Sequence, residues 1–354
     1  MEESNHISYF KVENFKRFES FEMENIGQFN IIVGDNNVGK TTLLEALLFD
    51  TNIDEYFNRL SYMLLCREIT AVKTLADVLK FHKNLKSNND ADSINYYFKK
   101  VEHTEIEEFK IYIQSKNKIV ADDLKTIENK ILANPTENEI VFTTLNNTTT
   151  LDFVNPEYIK MDIPYIAVNI GYKEDMTEFY SKYILQNNKN KPQLLNDFNE
   201  FAPEALDLEI SSSVVPGKNF IIARHRDYDR PMPITMFGEG AVRLLRILVE
   251  INMTPNQRLM IDEIDTGIYH KRFKQFWKTI LLAAKRNNVQ LFATTHSQEC
   301  LRFIKEVLEE EDMEHLQKEM RCFSLVEKKD KSVFSYAFDF KQFQFAIDQE
   351  NEIR

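Results

Sequence analysis

Cysteine is scarce in this 354-residue sequence, and the three present, Cys66, Cys300 and Cys322, form no CxxC spacing and no even set to pair. That excludes a disulfide framework and a cysteine-based zinc site, and predicts reduced core or surface thiols in a cytoplasmic protein. Long apolar runs are lacking as well: none approaches the roughly 18–20 residues needed to cross a bilayer, so no membrane partner is expected. The opening Met1-Glu2-Glu3-Ser4-Asn5 is acidic and polar, the opposite of the basic start of an export signal. An excess of positive charge is also missing. Against 56 Asp and Glu stand 44 Lys and Arg, a net charge of −12, where a dedicated nucleic-acid coat is normally basic. Contact with nucleic acid would therefore need a local patch or a partner chain. No repeats and no low-complexity segment are found. With 43% hydrophobic and 28% charged residues, the chain can bury a sizeable core, and its length suits one large domain or two modest ones.

The pattern of elements narrows the fold. Alternation in Ile7–Val12, continued by Asn14–Phe18, and the apolar run Phe29–Val33 read as strands. Helical pattern fills 52–104, broken by polar Ser87-Asn88-Asn89-Asp90. Residues 107–170 read as β-hairpins, with strands at Phe109–Ile113, Glu139–Thr143 and Thr150–Val154, a turn at Asn146-Asn147-Thr148, and a further strand at Ile163–Val168. Helix returns over 173–205, around a break at 187–192, and strands resume near 207–215 and 219–224. The last third alternates: helix 239–252, strand 258–261, helix 270–287, strand 289–293, helix 297–311, then strands near 321–326 and 333–338. Such alternation marks an α/β domain with a largely parallel core sheet.

Three strand ends carry chemistry. After Val33 comes Gly34-Asp35-Asn36-Asn37-Val38-Gly39-Lys40-Thr41-Thr42, with a helical face of Leu43, Leu44, Ala46, Leu47 and Leu48 behind it. Strand, glycine loop and helix in that order make a phosphate loop. Gly34 and Gly39 allow close backbone approach, and the N–H groups of Asn36, Asn37, Val38 and their neighbours, with the helix N-terminus, supply the positive field. Lys40 reaches the β- and γ-phosphates of ATP, and the Thr41 hydroxyl suits Mg²⁺. Leu259-Met260-Ile261 ends in Asp262-Glu263, placing Asp262 beside the metal and Glu263 beside the attacking water as general base. Leu291-Phe292-Ala293-Thr294-Thr295 leads to His296, well placed to touch the γ-phosphate. The basic cluster Arg224–Arg230 reads either as a charged turn or as a phosphate or DNA contact, with Asp227 and Asp229 cancelling much of its field. Phe273, Phe276 and Trp277 read as core or interface packing.

Phe15-Lys16-Arg17-Phe18 followed by Phe29-Asn30-Ile31-Ile32-Val33-Gly34 through Thr42 resembles the opening "NFKxF … NxxxGxNxxGKTT" of the ABC-type ATPase head of the SMC, RecF and OLD (overcoming lysogenization defect) families. Asp262-Glu263 resembles their Walker B motif and His296 their switch histidine. The fit is closest to short, standalone members from bacterial defence and plasmid operons. The resemblance implies an α/β ABC-type P-loop ATPase head with a mixed sheet core, an antiparallel β lobe and a small helical insertion. It divides the chain into 1–170 plus 207–354 as the ATPase domain and 171–206 as a helical lid. It also implies a signature turn, matched by Gly238-Glu239-Gly240, that approaches ATP held by a second copy; Met236-Phe237 stand where the family carries its serine. Asp265-Thr266-Gly267 fall where the family has its dimer-contacting D-loop, with Asp265 a contact or water-positioning residue. No Q-loop glutamine is identified. Only 58 positions follow His296, too few for the Toprim nuclease domain of OLD proteins. The expected function is slow ATP hydrolysis with Mg²⁺, in a head-to-tail dimer or higher oligomer. Its output is control of a separately encoded effector, such as a nuclease, in anti-phage defence. A RecF-like DNA-repair ATPase is the alternative.

Overall fold

The strands that read as buried runs are enclosed on both faces. Phe29–Gly34 (β3), Arg258–Ile261 (β11) and Gln290–Thr294 (β12) are buried at every position, as expected of parallel strands covered by helices. The computed structural model describes residues 4–50, 53–67, 93–115, 139–144, 162–172, 174–215 and 218–349. In it these strands form the centre of a six-stranded sheet. With Tyr165–Ile166 (β7), Met320–Glu327 (β13) and Val333–Asp339 (β14), the order is β14-β13-β3-β12-β11-β7. All neighbours are parallel except β14, which pairs antiparallel with β13. Lys40–Ala46 (α1), Glu239–Met253 (α5), Phe273–Arg286 (α6) and Gln298–Leu308 (α7) supply the flanking helices. Phe276 and Trp277 are fully buried, so that cluster is core. All three cysteines are buried.

A second sheet covers the N-terminal lobe. Ile7–Phe15 (β1), Phe18–Met23 (β2), Ser93–Lys100 (β4), Glu107–Ser115 (β5) and Glu139–Thr144 (β6) run in the order β2-β1-β4-β5-β6. Gln290 sutures this sheet to the core one: its amide accepts from the Ile7 N–H at 2.9 Å and donates to the carbonyls of Ile7 and Gly27. A smaller antiparallel sheet, Ala205–Val215 (β8), Lys218–His225 (β9) and Met232–Pro233 (β10), leads into the signature turn. Beside it, helix Glu174–Phe179 (α3) continues as a π-helical turn over Tyr180–Leu185, and Asn190–Phe201 (α4) follows. Tyr180, Leu194 and Phe198 are fully buried.

Several local expectations need correcting. Residues 93–100, expected as helix, form strand β4 beside β1, because Ile94, Tyr96 and Phe98 alternate and bury one face of the strand. Helix Ile53–Cys66 (α2) does form within the same stretch. Strands β5 and β6 pair in parallel, so they are not a hairpin. The strand expected over 163–168 is reduced to Tyr165–Ile166, and α4 begins inside the expected break, at Asn190. The helix expected over 270–287 opens with a 3₁₀ turn at His270–Arg272. The turn at 146–148, the strand at 150–154 and the break at 87–90 fall outside the described residues.

Candidate active site

Strand order decides which groups meet. Because β12 lies between β3 and β11, the C-terminal ends of the phosphate-loop strand and the Asp262 strand flank Thr294. Open α/β sheets bind ligands at those carboxyl ends. Thr294 is fully buried. Its hydroxyl donates to Asp262 Oδ1 at 2.6 Å and accepts from the Glu263 backbone N–H at 2.8 Å. The other carboxylate oxygen, Asp262 Oδ2, accepts from the Thr41 hydroxyl at 2.8 Å. One carboxylate is thus held by strand β12 on one side and by the first turn of α1 on the other.

The phosphate loop has the backbone its glycines require. Gly34 and Gly39 take φ of 145° and 112°, and Asn37 also sits in the left-handed region at 63°. Space is as restrictive as conformation: a Cβ on Gly39 would lie 2.8 Å from Arg17 Cδ and 3.0 Å from the Phe18 ring. The β1–β2 turn therefore packs directly on the loop. Asp35, Asn36 and Asn37 are exposed, whereas Val38 is buried beneath them. The Lys40 ammonium donates to the carbonyls of Gly34 and Asp35 at 2.7 and 2.8 Å, which holds it over the loop. Behind it, Glu45 of α1 is buried and binds Lys16 at 2.5 Å and Arg67 at 2.7 Å. Burial lowers the Lys16 ammonium below its usual range, partly offset by Glu45.

Glu263 and His296 are brought together at the mouth of the site. Their Oε1 and Nε2 atoms are 4.0 Å apart, and both side chains are partly exposed. Glu263 adopts φ of +46°, left-handed for a non-glycine residue. The signature segment is arranged differently. Gly238, with φ of +92°, caps helix α5, and a Cβ there would meet nothing within 4 Å. Gly240 and Glu239 pack on the loop at 267–268: a Cβ on Gly240 would approach the Gly267 carbonyl at 3.1 Å, and one on Gly267 would strike Glu239 at 2.9 Å. Within one chain this turn thus lies against the loop that follows Asp265. Between them is a pocket of about 340 Å³ whose lining includes Asn169, Thr235, Glu239, Arg243 and Thr266.

Oxygen donors at Thr41 and Asp262 suit a hard cation such as Mg²⁺. Among the described residues no three His, Cys, Asp or Glu converge on a point. Mg²⁺ at nucleotide sites typically takes one or two protein oxygens and completes its shell with phosphate and water.

Residues 29–302 match the family described as "AAA domain, putative AbiEii toxin, Type IV TA system". The chain belongs to that family. It is an ATPase, with the α/β fold and mixed core sheet expected above for an ABC-type head. An ATP/GTP phosphatase of Helicobacter pylori is 24% identical to this ATPase over 344 residues, 87% of this chain and 90% of that one. An uncharacterized protein of Methanocaldococcus jannaschii is 36% identical over 84 residues, 23% of this chain and 37% of that one. The structure of an SMC head bound to the C-winged helix domain of ScpA superposes with a TM-score of 0.51 at 12% identity, covering 94% of this chain and 98% of that one, which speaks to fold alone.

Two residues of this ATPase site were not singled out from sequence. Thr294 reads from the sequence only as part of a strand, although a polar residue inside a buried strand needs a partner. Arg243 sits in a helix that is otherwise apolar over Ala241–Ile251 apart from Arg246 and Glu250, and that mismatch was the signal. In the structure its guanidinium donates to the carbonyls of Ala167, Ile170, Asp262 and Glu263. Burial pushes it down to about 10, against the pull of Asp262.

Proposed function

We propose that this ATPase cleaves the γ-phosphate of Mg·ATP with Glu263 as general base, and that two copies pair head to tail around the nucleotide to regulate a separately encoded effector. The observation that carries the chemistry is the linked set Thr41–Asp262–Thr294–Glu263 beside the Lys40 loop. Gly34, Asn36, Asn37, Val38, Gly39 and Thr42 present backbone and hydroxyl donors to the phosphates, and Lys40 neutralises the β- and γ-oxygens. Thr41 and Asp262 would hold the divalent cation, whose charge stabilises the leaving diphosphate. Glu263 takes a proton from the attacking water as its oxygen bonds to the γ-phosphorus and the bond to the β-bridging oxygen breaks, releasing ADP and phosphate. His296, 4.0 Å from Glu263, donates to the γ-phosphate from the next strand.

Gly238, Glu239 and Gly240 are read as the contact to ATP in the opposite copy, with Asp265 at the shared seam. The open space over Gly238 supports this. Residues 171–206 are read as the helical insertion that braces this turn from behind, and the remainder as the ATPase domain. The family description supports a defence or toxin–antitoxin setting, which we read as cytoplasmic, and the protein-bound state of the SMC head structure supports a protein partner. DNA gripping is less favoured: Arg224 pairs with Glu209 and Arg226 donates to the Pro203 carbonyl, which ties up much of the basic cluster. Light scattering of Glu263→Gln with Mg·ATP, with ADP and without nucleotide tests the pairing. A mass that doubles only with ATP, and stays single in Gly238→Glu, is expected. A mass independent of nucleotide, or a monomer that binds duplex DNA tightly at physiological salt, overturns it.

A further inference from the structure

The φ and ψ of Glu263 are fixed by the two peptide units beside it, and the structure grips both from both sides. In the first unit the Glu263 N–H donates to the Thr294 hydroxyl, and the Asp262 carbonyl accepts from Arg243 at 2.6 Å. In the second, the Ile264 N–H donates to the Thr294 carbonyl at 3.0 Å, and the Glu263 carbonyl accepts from Arg243 at 3.4 Å. Between these clamps Glu263 takes its left-handed conformation, which disfavours an L side chain by about 1–2 kcal/mol. A strained residue persists only where its surroundings over-determine it. Thr294 is one of those surroundings and Arg243 is the other.

Arg243 reaches further than the turn. Its other terminal nitrogen donates to the carbonyls of Ala167 and Ile170, both at 3.1 Å. These belong to the segment leaving β7, which carries Asn169 into the pocket beside Thr266. The side chain is 4% exposed, and its Nε finds no partner among the described residues. A buried guanidinium is costly unless paired, and hydrophobic residues fill most of the rest of α5. Arg243 also stands one turn beyond Glu239 and Gly240, on the same helix. A rigid helix therefore links the signature turn to the backbone of the general base.

We propose that Arg243 is a positioning residue: it fixes the Glu263 turn and makes its geometry depend on the helix that starts at Gly238–Gly240. The inference rests on Glu263 acting as general base. A second copy engaging the signature turn would then act on hydrolysis through a side chain that touches neither ATP nor water.

ATP turnover of Arg243→Met and Arg243→Lys, alone and combined with Glu263→Gln, tests this, alongside equilibrium binding of ATP. Arg243→Met is expected to lower kcat about 100-fold, the scale of a roughly 1 Å misplacement, with KM and ATP affinity within a few-fold. Arg243→Lys, which keeps a donor near the same carbonyls, recovers part of that loss. In the Glu263→Gln background Arg243→Met should add less than about threefold, because residues acting as a unit are not additive. The inference is overturned if KM rises at constant kcat, or if the two losses multiply. Should Arg243→Met fail to fold by thermal melting, Arg243→Lys carries the same comparison. Full turnover in Glu263→Gln alone would remove the general-base reading and this inference with it, an outcome read without any Arg243 variant.

Discussion

Thr294→Val is a nearly isosteric change at a fully buried position, so it deletes two hydrogen bonds while leaving the packing volume almost unchanged. The first bond, 2.6 Å to the Asp262 carboxylate, has a charged acceptor, and such bonds contribute about 1.5–3 kcal/mol. Losing the second leaves the Glu263 N–H without its acceptor, at about 1–3 kcal/mol for a buried group. Some of that is regained by relaxation and water, so a net loss of about 2–4 kcal/mol is expected. The functional effect should be larger in proportion, because the same hydroxyl orients Asp262 and fixes the Glu263 turn. A loss of kcat of about 100-fold is expected with ATP affinity reduced less. Urea unfolding midpoints and steady-state turnover measure the two effects. Thr295→Val is the matched control: it is equally buried, but its hydroxyl accepts from the Ser297 N–H, and among the described residues no hydrogen bond joins it to Asp262 or Glu263. It should lose stability without a comparable loss of kcat. Stability within about 0.5 kcal/mol of the unaltered protein, or equal kcat losses in both variants, would refute the role given to Thr294.

Three further outcomes are expected. Lys40→Ala should abolish or greatly weaken ATP binding in a folded protein, because it removes the ammonium held over the loop by the carbonyls of Gly34 and Asp35 while the loop backbone keeps the φ values of Gly34 and Gly39; calorimetry reads it, and unchanged affinity sinks the site. Gly39→Ala should lower stability by about 1–3 kcal/mol and weaken ATP binding, since the added Cβ meets Arg17 and Phe18 and the φ of 112° disfavours it; a variant as stable and as tight-binding as the original contradicts the loop geometry. Chelating divalent cations should stop turnover and restoring Mg²⁺ should recover it, as the Thr41–Asp262 oxygen pair implies; hydrolysis at full rate in excess EDTA would contradict that.

What the sequence discloses of this site is local, and what it conceals is long-range. A strand running into Gly34–Thr41, and another into Asp262-Glu263, are legible because each is a contiguous pattern with its own physical logic. That the two lie on either side of β12 is not legible, because strand order depends on contacts between residues hundreds of positions apart. Thr294 therefore looked like one more strand residue until its neighbours were known. Arg243 was concealed for a related reason: its partners are backbone carbonyls, which carry no residue type. The strand at 93–100 had its alternation of Ile94, Tyr96 and Phe98 diluted within a longer helical stretch. The parallel pairing of β5 with β6 could not follow from proximity in sequence, which favours hairpins.

Glu263 is proposed to perform the chemistry while the rest of the site binds ATP. Measuring ATP turnover and bound ATP together in Glu263→Gln tests it most directly. Full retention of Mg·ATP is expected, with turnover reduced by about 10²–10⁴-fold. Hydrolysis within a few-fold of the unaltered protein would contradict it.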